Sequence, residues 1–403
     1  MTFDPRFRIH ALGLIGGGAI MSIMMTTPVI SLYLNGRGLP AAQIGAIIGI
    51  MSAALVLAEV TLAVVVPSRI GRRATIGVAL AGSAVMLGWF PFITSLAGLY
   101  LNRIGFGAIR GLLWPATFAE VADSSPPERR GAAFSMFWLY FGVGTLVGPA
   151  AGGLLGERFT LVAPFFAAAA ISALTLGAIG AVRPDRDPAA ARPLASYAVL
   201  LRTRTVPRNL ALTVCNVVVF SIYATFLPLH AAARGLSPAQ IGVIFTAGAV
   251  AFIIGQDTLR RLSSRMSGER LLVPAFLARG IGAAVVPLLD SFAGLLAANF
   301  LASLLTAAIP PALSIRVAAA APRGHLVPAM GAFNAAADLG FFVGPVAGGI
   351  LAGIGLQWAF WLAIPATAAA LLLLRGSQTL GPRPEAQQPI QHHRGEQDAQ
   401  VED

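Results

Sequence analysis

Apolar residues run along this chain in blocks of about 20 or more, each separated from the next by a short polar or arginine-bearing stretch, which is the length needed to cross a bilayer as a helix. Twelve such blocks are read, at 9–34, 41–66, 74–94, 97–121, 131–156 and 160–182, then 208–231, 239–262, 271–289, 293–318, 327–354 and 357–374. The pattern predicts an all-α membrane protein. A polar stretch, 183–207, divides it into an N-terminal half of six helices, 1–182, and a C-terminal half of six, 208–374, and a polar tail, 375–403, is expected to be disordered. Within the divider, Leu194–Leu201 reads either as a short interfacial helix or as an unstructured connector.

The two halves repeat. Gly144-Thr-Leu-Val-Gly148-Pro149-Ala-Ala-Gly152-Gly153 returns 196 residues later as Gly340-Phe-Phe-Val-Gly344-Pro345-Val-Ala-Gly348-Gly349. Arg37-Gly38-Leu39 with Gln43-Ile44-Gly45 matches Arg234-Gly235-Leu236 with Gln240-Ile241-Gly242 at an offset of 197. Pro115-Ala116 and Ser68-Arg69 recur as Pro311-Ala312 and Ser264-Arg265 at 196. A six-helix copy keeps its orientation, so the halves are expected to be related by an axis along the membrane normal, with a site at the midplane between them. In a membrane the glycines let helices approach closely, and neighbours re-satisfy what proline disrupts.

Composition agrees with the pattern: 56% of the 403 residues are hydrophobic and 11% charged, against about 25% charged in soluble domains. The net charge is +11, all of it from arginine. These arginines are scattered through short loops rather than gathered on one face, which argues against nucleic acid. Most lie on the side that holds Arg6, Arg8, Arg69, Arg72, Arg73, Arg129 and Arg130, whereas the other side has Arg37, Arg158 and Arg234. The asymmetry places both termini in the cytoplasm of a cell (inner) membrane protein. The single cysteine, Cys215, excludes a disulfide framework. His392 and His393 in the tail read as solvated residues rather than metal ligands, and no metal or other cofactor is expected. No phosphate-binding Gly-x-x-x-x-Gly-Lys loop and no nucleophile–base pair is visible, so neither ATP drive nor an enzyme is expected.

At these residues the chain resembles the major facilitator superfamily, over nearly its whole length up to about Leu374. The loop Ser68-Arg69-Ile70-Gly71-Arg72-Arg73 is similar to the family's Gly-x-x-x-Asp-Arg-x-Gly-Arg-Arg, with Val64 and Ser68 at the family's Gly and Asp. Glu120 and Asp123 are therefore the expected partners of Arg69, Arg72 and Arg73 in holding the cytoplasmic face closed. Arg103-Ile104-Gly105-Phe106-Gly107 resembles the family's Arg-x-x-x-Gly element, and the Gly144–Gly153 stretch resembles one associated with drug:proton antiporters. The resemblance implies alternating access around a cavity lined by spans one, two, four, five, seven, eight, ten and eleven. Candidates for that lining are Met21, Met24, Met25, Thr27, Trp138, Tyr140, Asn216, Tyr223, Asn299 and Asn334.

Ionisable groups inside spans cost about 2.5–3.5 kcal/mol each on insertion scales and so mark function. Glu59, Asp257 and Asp338 stand against Arg103, Arg110 and Arg279, a balance that suggests pairing. Depth along the helices pairs Glu59 with Arg110. Arg279 is expected to take Asp257 or Asp338 as partner and to face a neighbouring helix rather than the cavity. Asp338 and Glu59 are the candidates for gaining and losing a proton, with fixed ion pairs as the other reading. The function expected is proton-coupled efflux of a small amphipathic compound by a monomer in the bilayer. Proton-coupled uptake of a sugar or organic acid, with Arg103 or Arg110 holding a carboxylate, is the first alternative, and a non-transporting receptor or intramembrane enzyme the second.

Overall fold

Long runs of Ala, Leu, Ile, Val and Gly with no water to compete for their amides leave the backbone one local solution, the helix. The computed structural model describes residues 5–182, 194–203, 205–262, 268–322 and 324–378. Arg265, Arg323, His392 and His393 lie outside the described residues. Before the divider come α1 (Pro5–Gly36), α2 (Ala41–Ile70), α3 (Arg72–Trp89), α4 (Leu96–Asp123), α5 (Arg130–Arg158) and α6 (Ala163–Leu174). The divider contributes α7 (Leu194–Arg202). After it come α8 (Thr205–Ala233), α9 (Pro238–Leu262), α10 (Gly268–Ala284), α11 (Phe292–Thr306), α12 (Ile309–Ala320), α13 (Leu326–Ala352), α14 (Leu356–Trp361) and α15 (Ala363–Gln378).

Ten segments among the described residues are long and apolar enough to cross a membrane. The other two expected spans correspond to α4, which carries Arg103 and Arg110, and to α10, whose apolar part, Leu271–Ala284, is short. Two expected spans are each divided between two α-helices, 357–374 between α14 and α15 at Leu362, and 293–318 between α11 and α12. The apolar stretch Phe292–Ala320 breaks between α11 and α12, where Pro310 and Pro311 open the second piece; two successive prolines remove two amide donors and clash with the preceding turn. Its repeat partner α4 has only Pro115 and stays continuous.

Duplication is legible in backbone detail. Gly38 and Gly235 both adopt a left-handed conformation (φ 78° and 81°) just past the ends of α1 and α8. The amides that follow, of Leu39 and Leu236, reach back to the Leu34 and Ala231 carbonyls. At the starts of α4 and α11 the Ser95 and Ser291 hydroxyls cap the amides of Gly98 and Gly294, each at 3.1 Å.

The glycine repeats set the packing. A Cβ on Gly144 or Gly152 would strike the Gly17 or Met25 carbonyl of α1, and one on Gly148 would lie 2.6 Å from Met24 Cβ. In the second copy, Gly340, Gly344 and Gly348 meet Val217, Ser221 and Phe226 of α8 in the same way. The last glycine of each copy points elsewhere. Gly153 abuts the Pro238 carbonyl of α9, and Gly349 the Ala41 carbonyl of α2. Each repeat therefore binds one helix of its own half through three glycines and one helix of the opposite half through the fourth. Burial from water does not drive such contacts in lipid, so close van der Waals approach must, and a side chain at these sites removes it.

These contacts join the halves toward one face. Gly45 and Gly242, equivalent in the two repeats, receive the Pro345 and Pro149 carbonyls. Near them the Ser31 hydroxyl donates to Thr225 O (2.7 Å), Thr246 to Leu146 O (3.2 Å), and the Ala239 amide to Glu157 (3.0 Å). One apolar core there draws on both halves, from Val29, Ile44 and Phe165 to Phe226, Ile241 and Phe360. At the opposite end, the face of the divider, the cores are separate. One uses Leu12, Ile76, Leu113 and Phe137; the other uses Leu212, Leu272, Phe276 and Leu313. Leu200 of α7 is buried against Val206, Val317 and Ala329, so the divider's helix is docked on the second half.

Candidate functional site

Between the halves lies a cavity of about 700 Å³, walled by α1, α2, α4, α5, α8, α9, α10, α11 and α13. Its lining is mainly apolar and aromatic: Met24, Ile30 and Met51, with Phe106, Trp138, Phe141, Phe220, Phe245, Phe252 and Phe341. The size suits a small organic molecule. Of the sequence candidates, Met24, Thr27, Trp138, Tyr223 and Asn299 are in the wall. Five others are not. Met21 and Met25 pack with Leu87, Phe106 and Ala168 inside the first half, because their backbone faces the α5 glycines. Tyr140 of α5 packs against α1, its hydroxyl 3.0 Å from His10 Nδ1 and its ring over Gly13. Asn216 is engaged by Arg279, and Asn334 is exposed away from the wall. The aromatics that the sequence reading passed over carried a helical signal: Phe141 follows the candidate Trp138 by three residues, and Phe245 and Phe252 are seven apart.

The charged candidates divide into two groups. Arg103 and Arg279 belong to the cavity wall; among its described residues there is no Asp, Glu, Lys or His. Arg103 is 3% exposed, its guanidinium 4.0 Å from the centre of the Phe90 ring, and its Nε and Nη2 are buried with no hydrogen-bond partner. The Arg279 Nε donates to Asn216 Oδ1 at 3.3 Å, and the guanidinium sits 5.5 Å from the Phe220 ring centre. The expectations for Arg279 are corrected on both counts. Its described partner is an amide rather than Asp257 or Asp338, and it faces the cavity because α10 turns this side toward Asn216 and Tyr223 of α8.

Glu59, Arg110 and Asp338 form the second group, outside the cavity wall where α2 and α13 meet across the halves, while Asp257 of α9 belongs to neither. Asp338 of α13 is within electrostatic reach of Glu59 of α2 and of Arg110 of α4. Asp338 thereby adds a group from the second half to the neighbourhood of Glu59 and Arg110 in the first. Arg110 is 2% exposed, donates to the Ala19 carbonyl of α1 at 3.3 Å and lies 5.1 Å from the Trp114 ring centre. Glu59, Asp257 and Asp338 are all partly buried. Depth along a helix gave the level of each charge, but not which helix of the other half would come alongside.

In the loop after α2, Gly71 (φ 82°) makes the sharp turn into α3. The Arg72 guanidinium is paired with Asp123 at the end of α4, Arg69 is exposed, Arg73 is partly buried, and Glu120 is buried at 3%. With Asp123 half in water, the pair is worth at most about 1 kcal/mol. Asp123→Asn should therefore shift thermal unfolding by only a few degrees while changing the rate of transport. A large drop in melting temperature would mean that the pair holds the fold rather than a conformation.

The family model of the Major Facilitator Superfamily matches residues 12–230 and 209–400. The chain belongs to this superfamily. It is a multi-pass membrane transporter, built for moving a small molecule rather than for catalysis. An uncharacterized MFS-type transporter of Methanocaldococcus jannaschii is 21% identical over 83% of this chain and 88% of its own length. A multi-drug resistance efflux pump PmrA homolog of Lactococcus lactis is 23% identical over 83% and 85%. The class C tetracycline resistance protein of Escherichia coli is 38% identical over 27% of each chain. Among solved structures, the nucleoside transporter NupG superposes with a TM-score of 0.76 at 13% identity, over 93% of this chain and 99% of that one. An inward-facing bacterial homolog of the human lysosomal transporter Spinster gives 0.69 at 17%, over 93% and 95%.

Proposed function

We propose that this transporter exports a small amphipathic compound in exchange for protons, with residues 1–182 and 208–374 rocking against each other and both termini in the cytoplasm of the inner membrane. The observation that carries the reading is Asp338, set at the seam between the halves with one charge of each sign acting on it, Glu59 and Arg110. Asp338 is a partly buried carboxylate where α2 and α13 meet, which makes it the group of the seam best placed to exchange a proton as the halves move. The three residues sit on three helices, α2, α4 and α13, and a rocking motion that moves α13 along α2 changes their separations. Proton occupancy is thereby tied to which face is open. A core shared by the halves near the loops at 37–40 and 234–237, and separate cores toward the divider, support reading the conformation as inward-open. Efflux is supported by the relatives named for multidrug and tetracycline resistance.

Everted membrane vesicles acidified by respiration and loaded with a pH-sensitive dye provide the test, using tetracycline and a panel of amphipathic compounds. Antiport predicts that an exported compound releases protons from the vesicles, and that vesicles without the protein show no response. Proton movement in the opposite sense would establish symport, and a flux indifferent to the proton gradient would remove coupling altogether.

A further inference from the structure

We infer that the cargo of the central cavity is an organic anion, an aromatic or otherwise apolar body bearing a carboxylate or sulfonate, with Arg103 as the anion-binding group. The inference rests on the reading of the cavity as a transport site but not on the direction of flux or on protons. Three observations lead to it. The wall carries two arginines, one from each half, and no acidic side chain among its described residues. The acids of the spans, Glu59, Asp257 and Asp338, all lie outside the wall. A cationic cargo would thus meet repulsion from both sides and a counter-charge from neither.

The unmet hydrogen bonds point the same way. Arg103 Nε and Nη2 lie on one edge of the guanidinium, where their N–H bonds run parallel, and both are buried without a partner. Both atoms are closed off from the cavity surface, so a carboxylate beside Arg103 reaches that edge only after a small turn of the side chain, and its two oxygens then match it. The guanidinium carbon lies 4.0 Å from the Phe90 ring centre, which limits the side-chain freedom that remains to be lost on binding. Across the cavity, the Tyr223 hydroxyl is also buried and unpartnered. What these wall residues lack is acceptors, and an anion brings them. Asn299 takes the place equivalent to Arg103 in the second repeat, with its amide nitrogen already donating to Ile244 O at 2.6 Å. The repeat therefore offers this edge once, and a cargo has one defined orientation, its charged end toward α4.

The test is equilibrium binding to the purified full-length protein in detergent, without any proton gradient, of three probes matched in size: 2-naphthoate, methyl 2-naphthoate and (2-naphthylmethyl)trimethylammonium. The expected result is that naphthoate binds at least about tenfold more tightly than either of the others. Arg103→Gln should abolish that preference through a loss of about 10- to 100-fold for naphthoate alone, and Tyr223→Phe should weaken naphthoate by a smaller factor. Equal binding of all three probes, preference for the cation, no binding of any, or an unchanged preference in Arg103→Gln would each overturn the inference. Should Arg103→Gln not fold, the wild-type ranking and Tyr223→Phe decide. A protein that binds naphthoate yet moves no protons loses the coupling proposal alone. One that exchanges protons for cations loses the anion assignment alone.

Discussion

Asp338→Asn is expected to lower proton-coupled flux by about 100-fold while leaving cargo affinity within about threefold, because it removes the titrating group without touching the cavity wall. The amide keeps the volume and some of the hydrogen bonding, so the helix should still pack. The direction of the residual activity is informative. A coupled exchanger without its proton carrier should still swap cargo for cargo, since that half-cycle requires no net proton movement. Counterflow of labelled cargo in proteoliposomes should survive, while dye-reported proton release is lost. Arg110→Gln should fail differently. It leaves Asp338 facing Glu59 without the guanidinium that now offsets it, and it frees the Ala19 carbonyl, so both exchange and coupling should fall. If Asp338→Asn leaves proton release intact, the seam is a structural ion cluster and the proton travels elsewhere.

The parts legible in the sequence are those fixed by local chemistry. Span length and the doubling were carried by hydropathy and by motifs such as Gly148-Pro149 and Gly344-Pro345. The motifs also carried the close helix approach, because glycine at four-residue spacing has one common use in lipid. What escaped was azimuth, the direction each side chain takes around its helix. Met21 and Met24 are three residues apart and chemically alike, yet only Met24 is in the cavity wall. Arg279 was judged from the usual place of its span and assigned to a helix interface, while the local rotation of α10 brings it to the cavity through Asn216. The Glu59–Asp338 neighbourhood was out of reach for a related reason. It depends on α2 of one half lying against α13 of the other, a contact separated by some 280 residues of chain, which no periodicity reports. Ser95 and Ser291, by contrast, were available as a 196-residue repeat with a capping role and simply add to the case for duplication.

Gly242→Leu should arrest the transport cycle. At this point the Pro149 carbonyl of α5 lies against the α9 backbone, and a Cβ would already be 2.5 Å from that oxygen; leucine adds three further carbons where two helices touch. Overpacking of this kind costs about 1–3 kcal/mol when the structure must hold its shape. Here the helices have an alternative, because the same contact is the one that must part when the sealed face opens. Leucine therefore penalises the sealed conformation selectively, and a penalty of that size shifts the two-state balance by about 5- to 150-fold toward the form open at the sealed face. Thr246, whose hydroxyl donates to Leu146 across the same seam, reports the shift. In a Cys215→Ser background, Thr246→Cys should be labelled slowly by a membrane-impermeant maleimide from the sealed face, and Gly242→Leu should speed that labelling by at least about fivefold while transport falls. Its repeat equivalent, Gly45→Leu, faces Pro345 in the same way and should give the same result. Unchanged labelling with a lowered melting temperature would mean that the glycines serve only static packing, and that the halves part along some other line.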